Sequence, residues 1–191
     1  MDTAGDLRSG DSQSDIIAFL SCPASYPGTV AQIGRIDTHG AIVFLAGSKA
    51  YKLKRAVQLS YFDFSTIAQR AAACRNELER NRQAAPGLYL GCIPITRGED
   101  GSLALDGAGE TVDWLVVMNQ FEQMQLFDNL ALQEKLDPEL MEPLAAVIAA
   151  YHAKSVQHHE VEGDKSVARV IAQIISAMHG APDDFKVEKV V

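Results

Sequence analysis

The apolar positions of this chain follow two rhythms. Between residues 31 and 118, short apolar runs of strand length alternate with turn residues, and one longer stretch is spaced as a helix. Residues 41–45 (A-I-V-F-L) are rich in branched and aromatic side chains and predict a buried strand. Ala46-Gly47-Ser48 has hairpin chemistry, and residues 50–54 predict the partner strand. Residues 31–37 predict a further strand, and residues 15–20 a short helical patch closed by Cys22-Pro23. Residues 65–85 predict the long helix. Thr66 followed by Gln69 forms a capping box, alanines and long charged side chains fill the middle, and Pro86-Gly87 ends it. Ile67, Ala71, Cys74, Leu78 and Ala85 lie along one face, which is expected to be buried.

Residues 88–96 predict a strand interrupted by Pro94, with a turn at 98–101, a return strand at 102–105 and a loop at 107–109. Residues 111–118 (T-V-D-W-L-V-V-M) form a strong strand pattern with Trp114 in the core. Beyond residue 118 the helical rhythm takes over. A short helix is expected at 126–136, and Asp137-Pro138-Glu139 reads as a helix start, with an acceptor at the cap, proline at the first position and an acid in the first turn. Leu140, Leu144, Val147, Ile148 and Tyr151 make one apolar stripe. Val167, Val170, Ile171, Ile174, Ile175 and Met178 make another, ending at Gly180. The expected fold class is α+β. The expected divisions are a flexible tail at 1–14, a sheet-rich lobe at 15–118, a linker at 119–123 and a helical part at 124–191.

Composition narrows the class. Apolar residues make up 47% of the 191 positions and charged residues 22%, ordinary for a globular domain. The net charge of −8 argues against a general nucleic-acid binder, although Lys49, Lys52, Lys54 and Arg55 form a local basic cluster. Cys22, Cys74 and Cys92 are odd in number and widely spaced, which predicts reduced thiols and no disulfide framework. No signal-peptide pattern opens the sequence and no apolar run reaches the ~18 residues of a membrane span. The expectation is a cytoplasmic protein with neither nucleic acid nor membrane as partner.

The candidate chemistry sits on residues 50–54 and the long helix. Side chains two apart on a strand share a face, so Ala50 and Lys52 point together, with Tyr51 and Leu53 opposite. A small residue beside a lysine leaves room for a flat base while the ammonium reaches phosphates, the logic of the kinase V-A-I-K strand. The bland alternative is a surface strand with solvated lysines. Glu77, mid-helix and 25 residues after Lys52, can pair with that ammonium. Alternatively it is an exposed acid paired with Arg80 or Arg82. Glu79 competes for the role, but it lies about 200° round the helix wheel, so only one of the two can face the sheet. His152, His158, His159 and Glu160 lack the spacing of H-E-x-x-H and read as the solvated end of a helix. Glu160, Glu162 and Asp164 read as a solvated loop.

The run T-H-G-A-I-V-F-L-A-G-S-K-A-Y-K-L-K, then F-D-F-S-T-I-A-Q-R, then C-R-N-E-L-E-R-N-R-Q-A-A-P-G-L-Y-L-G-C-I-P-I, then D-W-L-V-V-M, resembles the aminoglycoside phosphotransferase-like kinases. Within them it resembles the bacterial subgroup often fused to a C-terminal P-loop ATP-binding domain. The resemblance implies a protein-kinase-like N-lobe, a twisted antiparallel sheet with one long helix, followed by the first helices of an α-helical C-lobe. It implies ATP as cofactor with Mg2+, and phosphoryl transfer to the hydroxyl of an unidentified small molecule. Lys52 would contact the phosphates with Glu77 as its partner, and Ala50 would face the base. Thr38, His39 and Gly40 would form the turn over the phosphates, with a plain turn histidine as the alternative for His39. Met118 to Phe121 would form the linker between lobes, where backbone groups, those of Met118, Asn119 and Gln120 among them, hydrogen-bond the adenine edge, and His152 matches a structural histidine of the second lobe.

One departure bears on activity. The family's H-G-D-x-H-x-x-N string, which supplies the acceptor-orienting carboxylate and leads to the magnesium ligands, is missing, as is a P-loop. The chain therefore reads as an N-terminal fragment with no catalytic residue and no metal ligand of its own, expected to be inactive alone. The alternative is a non-catalytic nucleotide-binding or regulatory module on the same scaffold. Helices deprived of their lobe partners would be expected to self-associate or to pack back on the sheet.

Overall fold

The computed structural model describes residues 13–59, 61–156 and 162–180. It divides into one compact unit ending at Leu136 and a second beginning at Asp137. The expected tail lies outside the described residues except for its last two positions. Those two are ordered: Ser14 opens helix α1 (Ser14–Leu20), and Gln13 before it is buried. His158, His159 and Glu160 also lie outside the described residues.

The first unit is built on an antiparallel sheet. β1 (Ile33–Asp37), β2 (Ala41–Ala46) and β3 (Lys49–Lys54) form a meander. A small separate hairpin follows, made of β4 (Gln58–Leu59) and β5 (Phe62–Asp63). After helix α2 (Ile67–Ala84) come β6 (Tyr89–Arg97), β7 (Leu103–Leu105) and β8 (Glu110–Asn119). The six-stranded sheet has the order β1-β2-β3-β8-β6-β7, so β8 is inserted between β3 and β6. That placement brings Met118 opposite Ala50 and Val116 opposite Lys52.

Alternation along β2 and β3 splits the sheet into two faces. Ile42, Phe44, Tyr51, Leu53, Leu115 and Val117 are buried together with Ile16 and Leu20 of α1 and with Tyr26, forming the main core on one side. The other side carries Val43, Leu45, Ala50 and Lys52, as a strand period of two requires. Helix α2 contacts β6 and β8. Its start is the reciprocal cap read from the sequence: Thr66 accepts from the Gln69 N–H, and the Gln69 side chain accepts from the Thr66 N–H at 3.0 Å. Ala71 and Cys74 of its expected buried face are buried, and Ile67, Leu78 and Ala85 are half-buried.

Pro94 does not interrupt its strand. Its carbonyl accepts from Asp106 N–H at 2.9 Å, so its ring nitrogen points to the same side, just past the end of the β6–β7 ladder at Ile95–Leu105. No ladder bond is lost there. Trp114 is half-buried rather than core, with the Arg75 guanidinium 4.8 Å over its ring. After β8 the first unit ends with a 3₁₀ turn (Gln123–Gln125) and helix α3 (Phe127–Leu132).

The second unit contains α4 (Pro138–Lys154) and α5 (Gly163–Gly180). Asp137 caps α4, accepting from Leu140 N–H at 2.9 Å, as its sequence predicts. Val147, Ile148 and Tyr151 of α4 and Val167, Val170, Ile171, Ile174 and Ile175 of α5 are exposed. Among the described residues no helix is long and apolar enough to cross a membrane.

Candidate nucleotide-binding cleft

Lys52 and Glu77 meet. The Lys52 ammonium donates to Glu77 Oε1 at 2.7 Å, across the interval between β3 and α2. Glu77 is thus the sheet-facing acid, and Glu79 is exposed. The other carboxylate oxygen, Oε2, accepts from Lys54, the next residue on the same face of β3. Lys54 also lies 5.3 Å from the centre of the Phe64 ring. One acid therefore serves two lysines, and the trio keeps one net positive charge.

The two lysines differ in access. The Lys52 side chain is 27% exposed, while Lys54 and Glu77 are 11% and 10% exposed. Burial works against ionisation of Glu77, but the hydrogen bonds and charges of Lys52 and Lys54 outweigh it and hold its pKa below the ordinary 4.5. The stability this adds is complete above pH 4.5 and is lost as pH falls through the lowered value in the folded protein. Acid unfolding of wild type and Glu77→Gln, followed by circular dichroism, is expected to show the wild-type advantage shrinking below that pH. A constant difference down to pH 2–3 would contradict the pairing.

A cleft of about 180 Å³ opens beside Lys52. Its walls are Ala50 and Lys52 of β3, Val43 and Leu45 of β2, Ile36 of β1, and Met118 to Phe121 with Gln123 where β8 leaves the sheet. The volume is below the roughly 300–1,000 Å³ of a complete ligand site and suits one flat, apolar-faced part of a ligand. The strand that ends it is tied down on both sides. Asn119 N–H donates to Leu88 O and Gln120 N–H to Ser48 O, each at 2.9 Å. The Gln120 amide also bonds the carbonyls of Gly47 and Lys49.

Thr38, His39 and Gly40 do not line the cleft. They form the β1–β2 turn at the Lys54 end of the meander, where Ala41 pairs with Lys54. The Thr38 hydroxyl is engaged inside the turn with Ala41, and His39 is exposed. Arg55 holds the turn from behind, its backbone N–H on Gly40 O and its side chain on Thr38 O. A Cβ at Gly40 would stand 2.8 Å from Phe62, so the glycine lets the hairpin ring pack close. Phe62 in turn stacks on Phe64 with ring centres 4.3 Å apart.

No model of a known protein family and no solved structure matches the chain. The uncharacterized protein Rv2004c of Mycobacterium tuberculosis is 28% identical to it over 134 residues. The uncharacterized protein Mb2027c of Mycobacterium bovis has the same identity over the same length. The match covers 70% of this chain and 25% of either relative, so the chain spans about a quarter of their length.

A second polar cluster escaped the sequence reading. Arg70 on α2 is 1% exposed and donates through Nε to Asp113 Oδ1 at 2.8 Å; Asp113, on β8, is fully buried. Arg70 also reaches the carbonyls of Phe64 and Ser65. Gln13 completes the cluster. Its amide donates to Asp113 Oδ2 at 2.6 Å and to Lys54 O at 2.9 Å, and its oxygen accepts from Ala56 N–H at 2.8 Å. Arg70 and Glu77 are seven residues (77 − 70), or two turns, apart on α2. The cluster therefore fixes the helix that aims Glu77 at the sheet.

Cys22, Cys74 and Cys92 are free thiols. Burial pushes the Cys74 thiol up to about 12, which keeps it protonated and unreactive. Among the described residues no group of three or more His, Cys, Asp or Glu could hold a metal ion. The cleft thus sets apolar side chains beside one lysine ammonium.

Proposed function

We propose that this chain is the nucleotide-binding part of a kinase-like phosphotransferase, with ATP as ligand and a small-molecule hydroxyl as acceptor. One observation carries the reading: a strand lysine on the wall of a cleft floored by a small residue, paired behind it with a helix glutamate. The base would lie on Ala50, between Val43 and Met118. Its edge would face the chain that leaves β8. Because the Asn119 and Gln120 N–H groups are already bonded, the edge would meet that chain at Phe121. The phosphates would run along β3 toward Lys52 and the Thr38–Gly40 turn, where positive charge is in excess. In this reading the sheet and α2 form a kinase-like N-lobe, and α4 and α5 begin a helical second lobe.

Phosphoryl transfer needs a carboxylate to orient the acceptor and further groups to hold magnesium. The sequence has no H-G-D-x-H-x-x-N string to supply them. This favours binding without turnover by the chain itself. Calorimetric titration with ATP and magnesium is expected to give a Kd of about 0.1–1 mM, roughly −4 to −5.5 kcal/mol, as befits a partial site. Absence of any binding heat at millimolar ATP would sink the reading.

A further inference from the structure

Glu77 has one oxygen for each lysine, and the two lysines are not equivalent. Lys52 opens on the cleft. Lys54 does not line it and is enclosed between Glu77 and the Phe64 ring. We propose that Lys54 is a positioning residue, which keeps Glu77 fixed and counter-charged while Lys52 turns from it toward a ligand phosphate.

The physical reason is a charge balance. A buried carboxylate with a single lysine would hold that lysine tightly, since parting them would strand the acid without a partner. The pair would be neutral and would offer an anion little. With Lys54 always in place, Glu77 stays compensated when Lys52 moves, and the surplus charge belongs to the ligand. The Phe64 ring beneath Lys54 favours the cation and restricts its movement. Phe64 stacks on Phe62, and Phe62 packs on Gly40 of the β1–β2 turn. Lys54 is thereby tied through packed rings to the turn nearest the expected phosphates. The other titratable groups that feel Glu77 are Tyr89, Cys74 and Cys92, whose pKa values are raised chiefly by burial, so they stay neutral near pH 7.

The inference rests on the nucleotide reading for its ligand, so the experiment has one arm without ligand. In the ligand-free chain, carbon-13 NMR follows the Glu77 carboxyl through a pH titration in wild type, Lys54→Met and Lys54→Arg. The midpoint is expected to rise in Lys54→Met and to stay low in Lys54→Arg. In the second arm, ATP affinity is expected to fall about tenfold in Lys54→Met and to stay within about threefold in Lys54→Arg, the size of one charged contact. Rescue by arginine separates charge from mere filling of space. If Lys54→Met does not fold, Lys54→Gln takes its place with the same expectations. An unmoved Glu77 midpoint in the neutral variant would overturn the proposal. So would a raised midpoint with unchanged ATP affinity. If wild type binds no ATP, the nucleotide reading falls, and the titration still decides whether Lys54 holds the acid.

Discussion

Asp113→Ala is expected to cost about 3–5 kcal/mol of folding stability, measured by urea unfolding. The substitution leaves the Arg70 guanidinium inside the protein with carbonyl contacts only and no counter-charge. It also takes one of the Gln13 amide's two acceptors. A domain of this size has about 5–15 kcal/mol in total, so a large share of the native state's margin would go. Replacing both partners by apolar residues of similar volume, Arg70→Met with Asp113→Leu, is expected to cost far less, because no buried charge is then stranded. If the single and double variants were equally unstable, shape rather than charge would govern the site.

Lys52→Ala is expected to weaken ATP binding tenfold or more, about 1.5–3 kcal/mol for a charge-assisted contact, with folding stability nearly unchanged. The separation follows from Lys54, which remains on Glu77 and spares it the cost of an unpaired buried charge. In a longer chain that turns over substrate, the same change is expected to lower turnover by ~10²-fold or more, as for loss of a preorganised charge. Calorimetry and urea unfolding on the same sample read both halves. Equal affinity would remove Lys52 from the site, and a large loss of stability would mean that Lys54 does not compensate.

What the sequence disclosed about the fold is what local physics controls. The α2 cap needs only Thr66 and Gln69, three positions apart, and it was legible. Strand β2 is legible in the unbroken apolar run 41–45, and β3 as its partner across Gly47, which takes φ of 60° at the turn. The β4–β5 hairpin was invisible because strands of two residues show no period. Pro94 misled because its tolerance depends on where the β7 ladder stops, a fact of tertiary structure.

The site divides in the same way. Strand-then-helix order makes Lys52 and Glu77 legible as partners, while the choice of Glu77 over Glu79 depends on how α2 is turned against the sheet, a tertiary fact. Lys54 could have been found, since the period that pairs Ala50 with Lys52 also turns Lys54 to α2. The Arg70–Asp113–Gln13 cluster had no comparable signal. Its members stand 43 and 100 residues from Asp113, and no local pattern marks an arginine that will be buried.

The central claim is that a nucleotide lies over Ala50 with its phosphates at Lys52. Titrating ATP into isotopically labelled protein and following amide and lysine ammonium NMR signals tests it directly. Saturable shifts are expected, concentrated at Val43, Ala50, Lys52 and residues 118–121, with the Lys52 ammonium moving more than that of Lys54. Saturable shifts confined to other surfaces, or none at millimolar ATP, would contradict it.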